Sequence, residues 1–105
     1  DRLDMAKSIL GIQKPKYVLE NAYEAVREFI DSIMFRNGYK SYSHEASVAY
    51  VLELGLAITD AMQIDRLRKH RNGIKYYGED ATDEEAHEAL RIASEIIEKL
   101  RKLRS

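Results

Sequence analysis

Apolar residues recur three and four positions apart along most of this chain of 105 residues, and its only strong helix breakers are one proline and five glycines. That spacing puts apolar side chains on one face of an α-helix. Alternation of apolar and polar residues, which would indicate a half-buried strand, never continues beyond three or four positions. The pattern therefore predicts an all-α fold, an up-and-down bundle of four long helices plus a short N-terminal helix.

The helix breakers and capping residues give the expected limits of these helices. We expect helices over residues 2–10, from Pro15 to about Arg36, over about 43–56, from Thr59 or Asp60 to near Gly78, and from Thr82 to the C-terminus. The third of these helices is expected to bury Ala46, Ala49, Leu52 and Leu56. A single domain over residues 1–105 accounts for a chain of this length.

Polar residues at the helix starts can accept bonds from backbone amides that have no partner inside the helix. Ser41 or Ser43 suits the start of the third helix, and Asp60 suits the start of the fourth. Thr82 and Glu85 have the spacing of a capping box and give the clearest start signal, that of the last helix.

The composition excludes several classes of chemistry. Hydrophobic residues make up 45% of the chain and charged residues 33%, which is typical of a globular domain. The absence of cysteine excludes disulfides, thiolate zinc sites and cysteine nucleophiles. Because His44, His70 and His87 lack the spacing of metal ligands, we expect no metal site and no cofactor, and we expect His44 to be a structural or exposed group. No membrane span or signal peptide is recognisable, so we expect a cytoplasmic protein, with a composition that also suits a thermophile.

The net charge of −1 averages over two opposite blocks. Residues 66–75 contain five Lys or Arg and no acid, whereas residues 79–88 contain six Asp or Glu and no Lys or Arg. One interpretation is a phosphate-binding surface on the fourth helix. The other is a solvated basic face that pairs with the acids that follow it.

Arg71 falls on the apolar stripe of the fourth helix, between Leu67 and Ile74. An arginine on such a stripe must be paired, or must extend its charged end into a cleft or an interface. We therefore consider two roles for Arg71: a polar site at a groove or dimer seam, and an ion pair with Glu85 or Glu88 of the last helix.

Several segments together resemble the HEPN family of small helical domains. They are Asn21–Val26, Asn37–Ala46, Leu67–Gly78 and Thr82–Ala86, which follow the family order over nearly the whole chain. The resemblance implies a helical bundle, usually a homodimer packed through the helix that bears the family motif. Many HEPN proteins are metal-independent RNases, often toxins paired with a nucleotidyltransferase-like partner. A bundle this small is expected to leave the hydrophobic residues Ile58 and Tyr77 exposed, and a second subunit would cover them.

The motif of the HEPN RNases is an arginine, usually followed by a polar residue, and then a histidine after four to six intervening residues. Arg71 and Asn72 match its first half, but Tyr76, Tyr77 and Gly78 occupy the histidine positions. Tyrosine has an ordinary pKa near 10 and is a poor base at neutral pH, where histidine would serve to move a ribose 2′-hydroxyl proton.

The resemblance therefore implies a binding module, a non-catalytic homodimer that binds a nucleotide, RNA or a nucleotidyltransferase-type partner. The residues expected to contact the ligand are Arg71, Asn72, Arg68, Lys75, Tyr76 and Tyr77. One alternative is a metal-independent RNase that uses Arg71 with Tyr76 or Tyr77. Another is a structural bundle that only binds other proteins.

Overall fold

The computed structural model of the chain describes residues 14–104 and contains four helices. They are α1 (Pro15–Arg36), α2 (His44–Leu54), α3 (Ile58–Tyr77) and α4 (Asp83–Arg104). No β-strand occurs within the described range, so the predicted all-α bundle is confirmed. The short helix predicted over residues 2–10 lies outside the described residues. None of the helices within residues 14–104 combines the length and the apolar character needed to cross a membrane.

The core forms around α1, which packs most extensively against α4 and next against α3. Small residues on α1 and α4 meet there, since Ala22, Ala86 and Ala93 are completely buried. Short side chains at a helix contact let the two helix axes approach closely. The predicted apolar stripe of α3 is confirmed, because Ile64, Leu67 and Ile74 are all buried.

Two of the predicted helix caps are observed. Ser43 caps α2, and its hydroxyl accepts a hydrogen bond from the Ala46 amide at 3.1 Å. Thr82 and Glu85 form a reciprocal capping box at the start of α4: the Thr82 amide donates to Glu85 Oε1 at 2.9 Å, and the Glu85 amide donates to Thr82 Oγ1 at 3.1 Å. These caps fix the directions in which the two helices begin.

The predicted start of α3 at Thr59 or Asp60 is wrong. The helix begins at Ile58 with Ala57 at the N-cap position and no side-chain cap. Asp60 lies inside the first turn, where its carboxylate accepts hydrogen bonds from Lys99 of α4 at 2.9 and 3.1 Å. A carboxylate in the first turn also interacts favourably with the helix dipole, so Asp60 stabilises the helix start without capping it.

The buried face of α2 also differs from the prediction. Leu56, which follows the helix, is buried as expected, but Ala49 and Leu52 are exposed. The residues of α2 that point into the bundle are Ser47 and Val51. The apolar residues of this short helix lie on several of its faces, so their spacing does not identify which face is buried. The inward serine belongs to the site described next.

Candidate functional site

A pocket of about 320 Å³ opens between α1, the start of α2 and α3. It lies at the small end of the range of roughly 300–1,000 Å³ that is typical of small-molecule sites. Its polar wall includes Tyr23 and Asp31 from α1, His44 and Ser47 from α2, and Arg68 and Arg71 from α3. Three helices therefore bring polar side chains to one concave surface.

Arg71 lies deep in this wall, with its side chain only 11% exposed. Its guanidinium carbon lies 4.7 Å from the centre of the Tyr23 ring, and its Nη2 lies 3.4 Å from Glu24 Oε1. The expected alternative of an ion pair with Glu85 or Glu88 is wrong, because the acid beside Arg71 comes from α1 rather than from α4. Arg71 is thus both paired and placed in a cleft.

Tyr23 forms the aromatic floor under this arginine. Burial raises the pKa of the Tyr23 phenol, although the neighbouring Arg71 acts in the opposite direction. The phenol therefore stays protonated at neutral pH and offers a neutral ring face to the guanidinium.

Buried polar atoms without a hydrogen-bond partner are concentrated in this pocket. Among the described residues they are Asp31 Oδ1, Arg68 Nε and Arg71 Nε, and all three residues line it. Leaving such an atom unpaired costs about 1–3 kcal/mol. Three further cavities within residues 14–104 are lined by none of these three residues. This pocket therefore has the unused donors and acceptor that a bound ligand would satisfy.

His44, the first residue of α2, brings an imidazole to the same pocket. Its Nε2 lies 3.3 Å from Asp65 Oδ1, and its side chain is 16% exposed. Burial lowers the pKa of His44, and the nearby Arg68 lowers it further, while Asp65 and Glu45 oppose the change. The ring is therefore predominantly neutral at pH 7, and one of its nitrogens can accept a proton or a hydrogen bond.

Ser41 of the preceding loop and Ser47 of α2 are hydrogen-bonded to each other and shape the pocket wall. The hydroxyls of Ser41 and Ser47 lie 2.5 Å apart, and Ser47 Oγ also donates to the Ser43 carbonyl at 3.3 Å. These bonds explain why a serine takes the inward position on α2, since a buried hydroxyl needs partners. The hydroxyls are structural groups of the wall, with their hydrogen-bonding capacity largely used.

Three of the six predicted ligand-binding residues lie in the pocket: Arg68, Arg71 and Asn72. Arg68 is oriented by Asp65, since its Nη2 donates to Asp65 Oδ1 at 3.2 Å. This bond leaves Arg68 Nε without a partner among the described residues. The structure thus brings together the basic residues on the side of α3 that faces α1 and α2.

The other three predicted residues, Lys75, Tyr76 and Tyr77, do not line this pocket. Tyr76 and Tyr77 are 64% and 81% exposed, and Lys75 Nζ lies 5.7 Å from the Tyr76 ring centre. All three occupy the last turn of α3, which stays helical up to Gly78. Tyr76 and Tyr77 are therefore rotated around the axis away from Arg71, whereas Lys75 shares the face of Arg71 but lies one turn further along the helix.

Sequence reasoning missed Asp31 and His44 as members of the site. A usable signal was present on α1, where Tyr23, Arg27 and Asp31 recur every four residues as a polar stripe beside a strongly apolar face. His44 gave no comparable signal, because only the packing of α2 against α3 brings it near Arg68. Within residues 14–104, no group of three or more His, Asp or Glu side chains is arranged to hold a metal ion.

One comparison with known proteins agrees with the resemblance that the sequence shows, and another found nothing. A search of curated proteins found no match to this chain. The family model described as the HEPN domain matches residues 1–103, which include the whole pocket and nearly all of α4. The chain belongs to the HEPN domain family.

Proposed function

We propose that this HEPN domain is a binding module whose pocket takes the phosphate of a nucleotide or of an RNA strand, without cleaving it. The observation that carries the proposal is a pair of buried donors, Arg68 Nε and Arg71 Nε, which have no partner among the described residues and belong to two side chains that line one pocket. Guanidinium groups match phosphate oxygens in geometry and charge.

The surroundings of the two arginines support an anionic ligand. Glu24 and Asp65 engage the Nη2 atoms of Arg71 and Arg68, which fixes both guanidinium planes. The Nε donors are left for a further acceptor. Because the arginines are already oriented, little side-chain entropy is lost when a phosphate binds.

The absence of cleavage is supported by the position of the tyrosines that replace the motif histidine. Tyr76 and Tyr77 are mostly exposed and lie outside the pocket that holds Arg71. A proton acceptor must lie within hydrogen-bond reach of the reacting hydroxyl. Neither phenol meets that requirement for a ligand held by Arg68 and Arg71.

One observation favours a second candidate function, metal-independent RNA cleavage. His44 lies in the same pocket as Arg71, is neutral at pH 7 and has Asp65 beside its Nε2. A neutral imidazole with a carboxylate partner is a suitable general base. Cleavage of end-labelled RNA by the wild type, together with its loss in both His44→Gln and Arg71→Lys, would favour this candidate over the binding module.

We further propose that the module acts as a homodimer in the cytoplasm and engages a nucleotidyltransferase-type partner. Exposed apolar side chains support a second subunit: Ile58 is 70% exposed, Met62 one turn later is exposed, and Tyr77 is exposed at the other end of α3. Light scattering is expected to give twice the chain mass, and Ile58→Lys is expected to shift it toward the monomer. A monomeric wild type would contradict the dimer.

The test of phosphate binding is a fluorescence-polarisation titration with a labelled adenine nucleotide. Arg68→Gln is expected to weaken binding about tenfold or more, since charge-assisted hydrogen bonds are worth roughly 1.5–3 kcal/mol. Arg66→Gln is the matched control, because Arg66 lies on the same helix but lines a different cavity, against α4. Affinity is also expected to fall as salt is added. Equal affinities for the wild type and Arg68→Gln would contradict the proposal.

A further inference from the structure

We infer that the pocket recognises a ribose attached to the phosphate, with Asp31 accepting a hydrogen bond from the ribose 2′-hydroxyl; this step rests on the proposed function. The ligand class is a ribonucleotide unit, either a free mononucleotide or one residue of an RNA strand. Asp31 is then a specificity-determining residue, because it distinguishes ribose from deoxyribose.

The Asp31 carboxylate has spare acceptor capacity. Its Oδ1 is buried and has no hydrogen-bond partner among the described residues. Its Oδ2 meets Arg27 Nη1 at 3.5 Å, which is a long contact for a hydrogen bond. Arg27 is held more closely by Glu24, with bonds of 3.0 and 2.6 Å. Asp31 is therefore not needed to neutralise Arg27, and a carboxylate can accept several further hydrogen bonds.

The combination of unused groups restricts the ligand. Two donors, on Arg68 and Arg71, require an acceptor such as phosphate, whereas Asp31 requires a donor. Inorganic phosphate satisfies the arginines and can offer Asp31 a P–OH donor only from an oxygen that is still protonated, while its negative charge is repelled by the Asp31 carboxylate. A ribonucleotide carries an acceptor for the arginines and a donor for Asp31, because its hydroxyl groups are only a few bonds away from its phosphate.

The rest of the wall fits a small, partly apolar unit. Val48 lines the pocket beside the polar groups, and the buried side chains of Val26, Ile30 and Ile64 lie beneath it. These aliphatic side chains suit the carbon faces of a sugar or base, whereas hydrogen bonds to the polar groups fix its orientation. A volume of about 320 Å³ accommodates a single nucleotide unit rather than a duplex.

The test compares affinities for 5′-AMP, its 2′-deoxy and 2′,3′-dideoxy analogues, and inorganic phosphate. We expect the wild type to bind 5′-AMP about tenfold more tightly than the analogue that lacks the recognised hydroxyl, as expected for one hydrogen bond to a charged group. Asp31→Ala is expected to abolish this ratio, and Asp31→Asn, which keeps a carbonyl acceptor, to retain part of it. Glu20→Gln removes an acid from α1 outside the pocket and is expected to keep the wild-type ratio. Circular dichroism melts establish that each variant is folded.

A second arm distinguishes the two sources of the ribonucleotide unit. Single-stranded RNA and DNA tetranucleotides of one sequence are titrated alongside the mononucleotides. A ribose preference among mononucleotides supports a free nucleotide, and a preference seen only among tetranucleotides supports a strand. Either result supports recognition of the ribose by Asp31 if the preference is lost in Asp31→Ala.

Two results would overturn the assignment of Asp31: equal wild-type affinities for all ribo and deoxy ligands, or a ribose preference that survives in Asp31→Ala. Tighter binding of phosphoethanolamine than of 5′-AMP would overturn it as well, because the recognised donor would then be an amine. If Arg68→Gln still weakens binding in these cases, phosphate binding stands and only the ribose assignment fails. If Arg68→Gln has no effect, the proposed function fails too.

Discussion

The guanidinium of Arg71 on α3 lies 4.7 Å from the centre of the Tyr23 ring on α1. The same guanidinium reaches Glu24 at 3.4 Å, so consecutive residues of α1 contact it through a ring face and a carboxylate. This arrangement explains how an arginine occupies an apolar stripe without an unpaired buried charge. It also fixes the orientation of the Arg71 guanidinium, which is the group that we propose binds the phosphate.

Replacing the Tyr23 ring should destabilise the fold more than removing its hydroxyl. Tyr23→Leu is expected to lower the free energy of unfolding by about 1–3 kcal/mol, because it removes the aromatic face beneath Arg71 and changes the shape of a buried side chain. Tyr23→Phe keeps the ring and is expected to lose less than Tyr23→Leu. Urea denaturation followed by circular dichroism measures both values. Equal losses for the two variants would show that the ring face contributes nothing.

Acidification should weaken the fold through His44. Burial and Arg68 lower the pKa of His44 in the folded state against the opposing effects of Asp65 and Glu45, so the unfolded chain binds more protons. Stability therefore falls as the pH drops through the ordinary histidine range near 6.5. His44→Gln should flatten this part of the stability–pH curve between pH 7.5 and 5.5. A wild-type stability–pH curve in His44→Gln would count against a partly buried, neutral imidazole at this position.

The capping box of α4 should contribute measurably to stability. Thr82→Ala removes the acceptor of the Glu85 amide and is expected to cost about 1 kcal/mol, whereas Thr82→Ser keeps an equivalent hydroxyl. The bond from the Thr82 backbone amide also lowers the pKa of Glu85. The stability that the Glu85 carboxylate contributes is therefore lost as the pH falls through the range of an ordinary glutamate. Thermal melts at pH 7 and pH 3 test both statements. A Thr82→Ala variant as stable as the wild type at pH 7 would contradict the first.

Gly73→Ala should stabilise the chain without altering ligand binding. Gly73 lies inside α3, where glycine costs about 1 kcal/mol relative to alanine. The atoms nearest to the added methyl group would be those of the Glu79 carboxylate, which is at the end of an exposed side chain that can swing into solvent. Urea denaturation is expected to show a gain of about 0.5–1 kcal/mol, with nucleotide affinity unchanged. A loss of stability would indicate that Glu79 is held over Gly73 for a structural purpose.

Local patterns along the chain predict most of the fold. The spacing of Ile64, Leu67 and Ile74 identifies the buried face of α3, and hydroxyl caps at Ser43 and Thr82 locate the starts of α2 and α4. Each of these features depends on residues within a few positions of one another, which is what a sequence pattern reports directly.

The site is only partly predictable, because it forms where three helices meet. Arg71 is recognisable as a polar residue on an apolar stripe, yet its partner Glu24 lies 47 positions earlier and depends on α1 packing beside α3. His44 and Asp31 reach the same pocket from two other elements. Contacts of this kind depend on how the helices pack against one another, and a single sequence contains little information about that packing.

The central claim, that Arg68 and Arg71 present unused Nε donors to a phosphate, can be observed directly by NMR. Buried arginine Nε–H groups exchange slowly with water, which makes their signals visible in a ¹⁵N-correlated spectrum. Adding 5′-AMP is predicted to shift the Arg68 and Arg71 Nε–H signals in a saturable manner. The Nε–H group of Arg91 on α4, which already donates to Glu88 at 3.0 Å and lies outside the pocket, serves as an internal control and should move much less. Saturable shifts at other arginines with none at Arg68 and Arg71, or no saturable shift at all, would contradict this account.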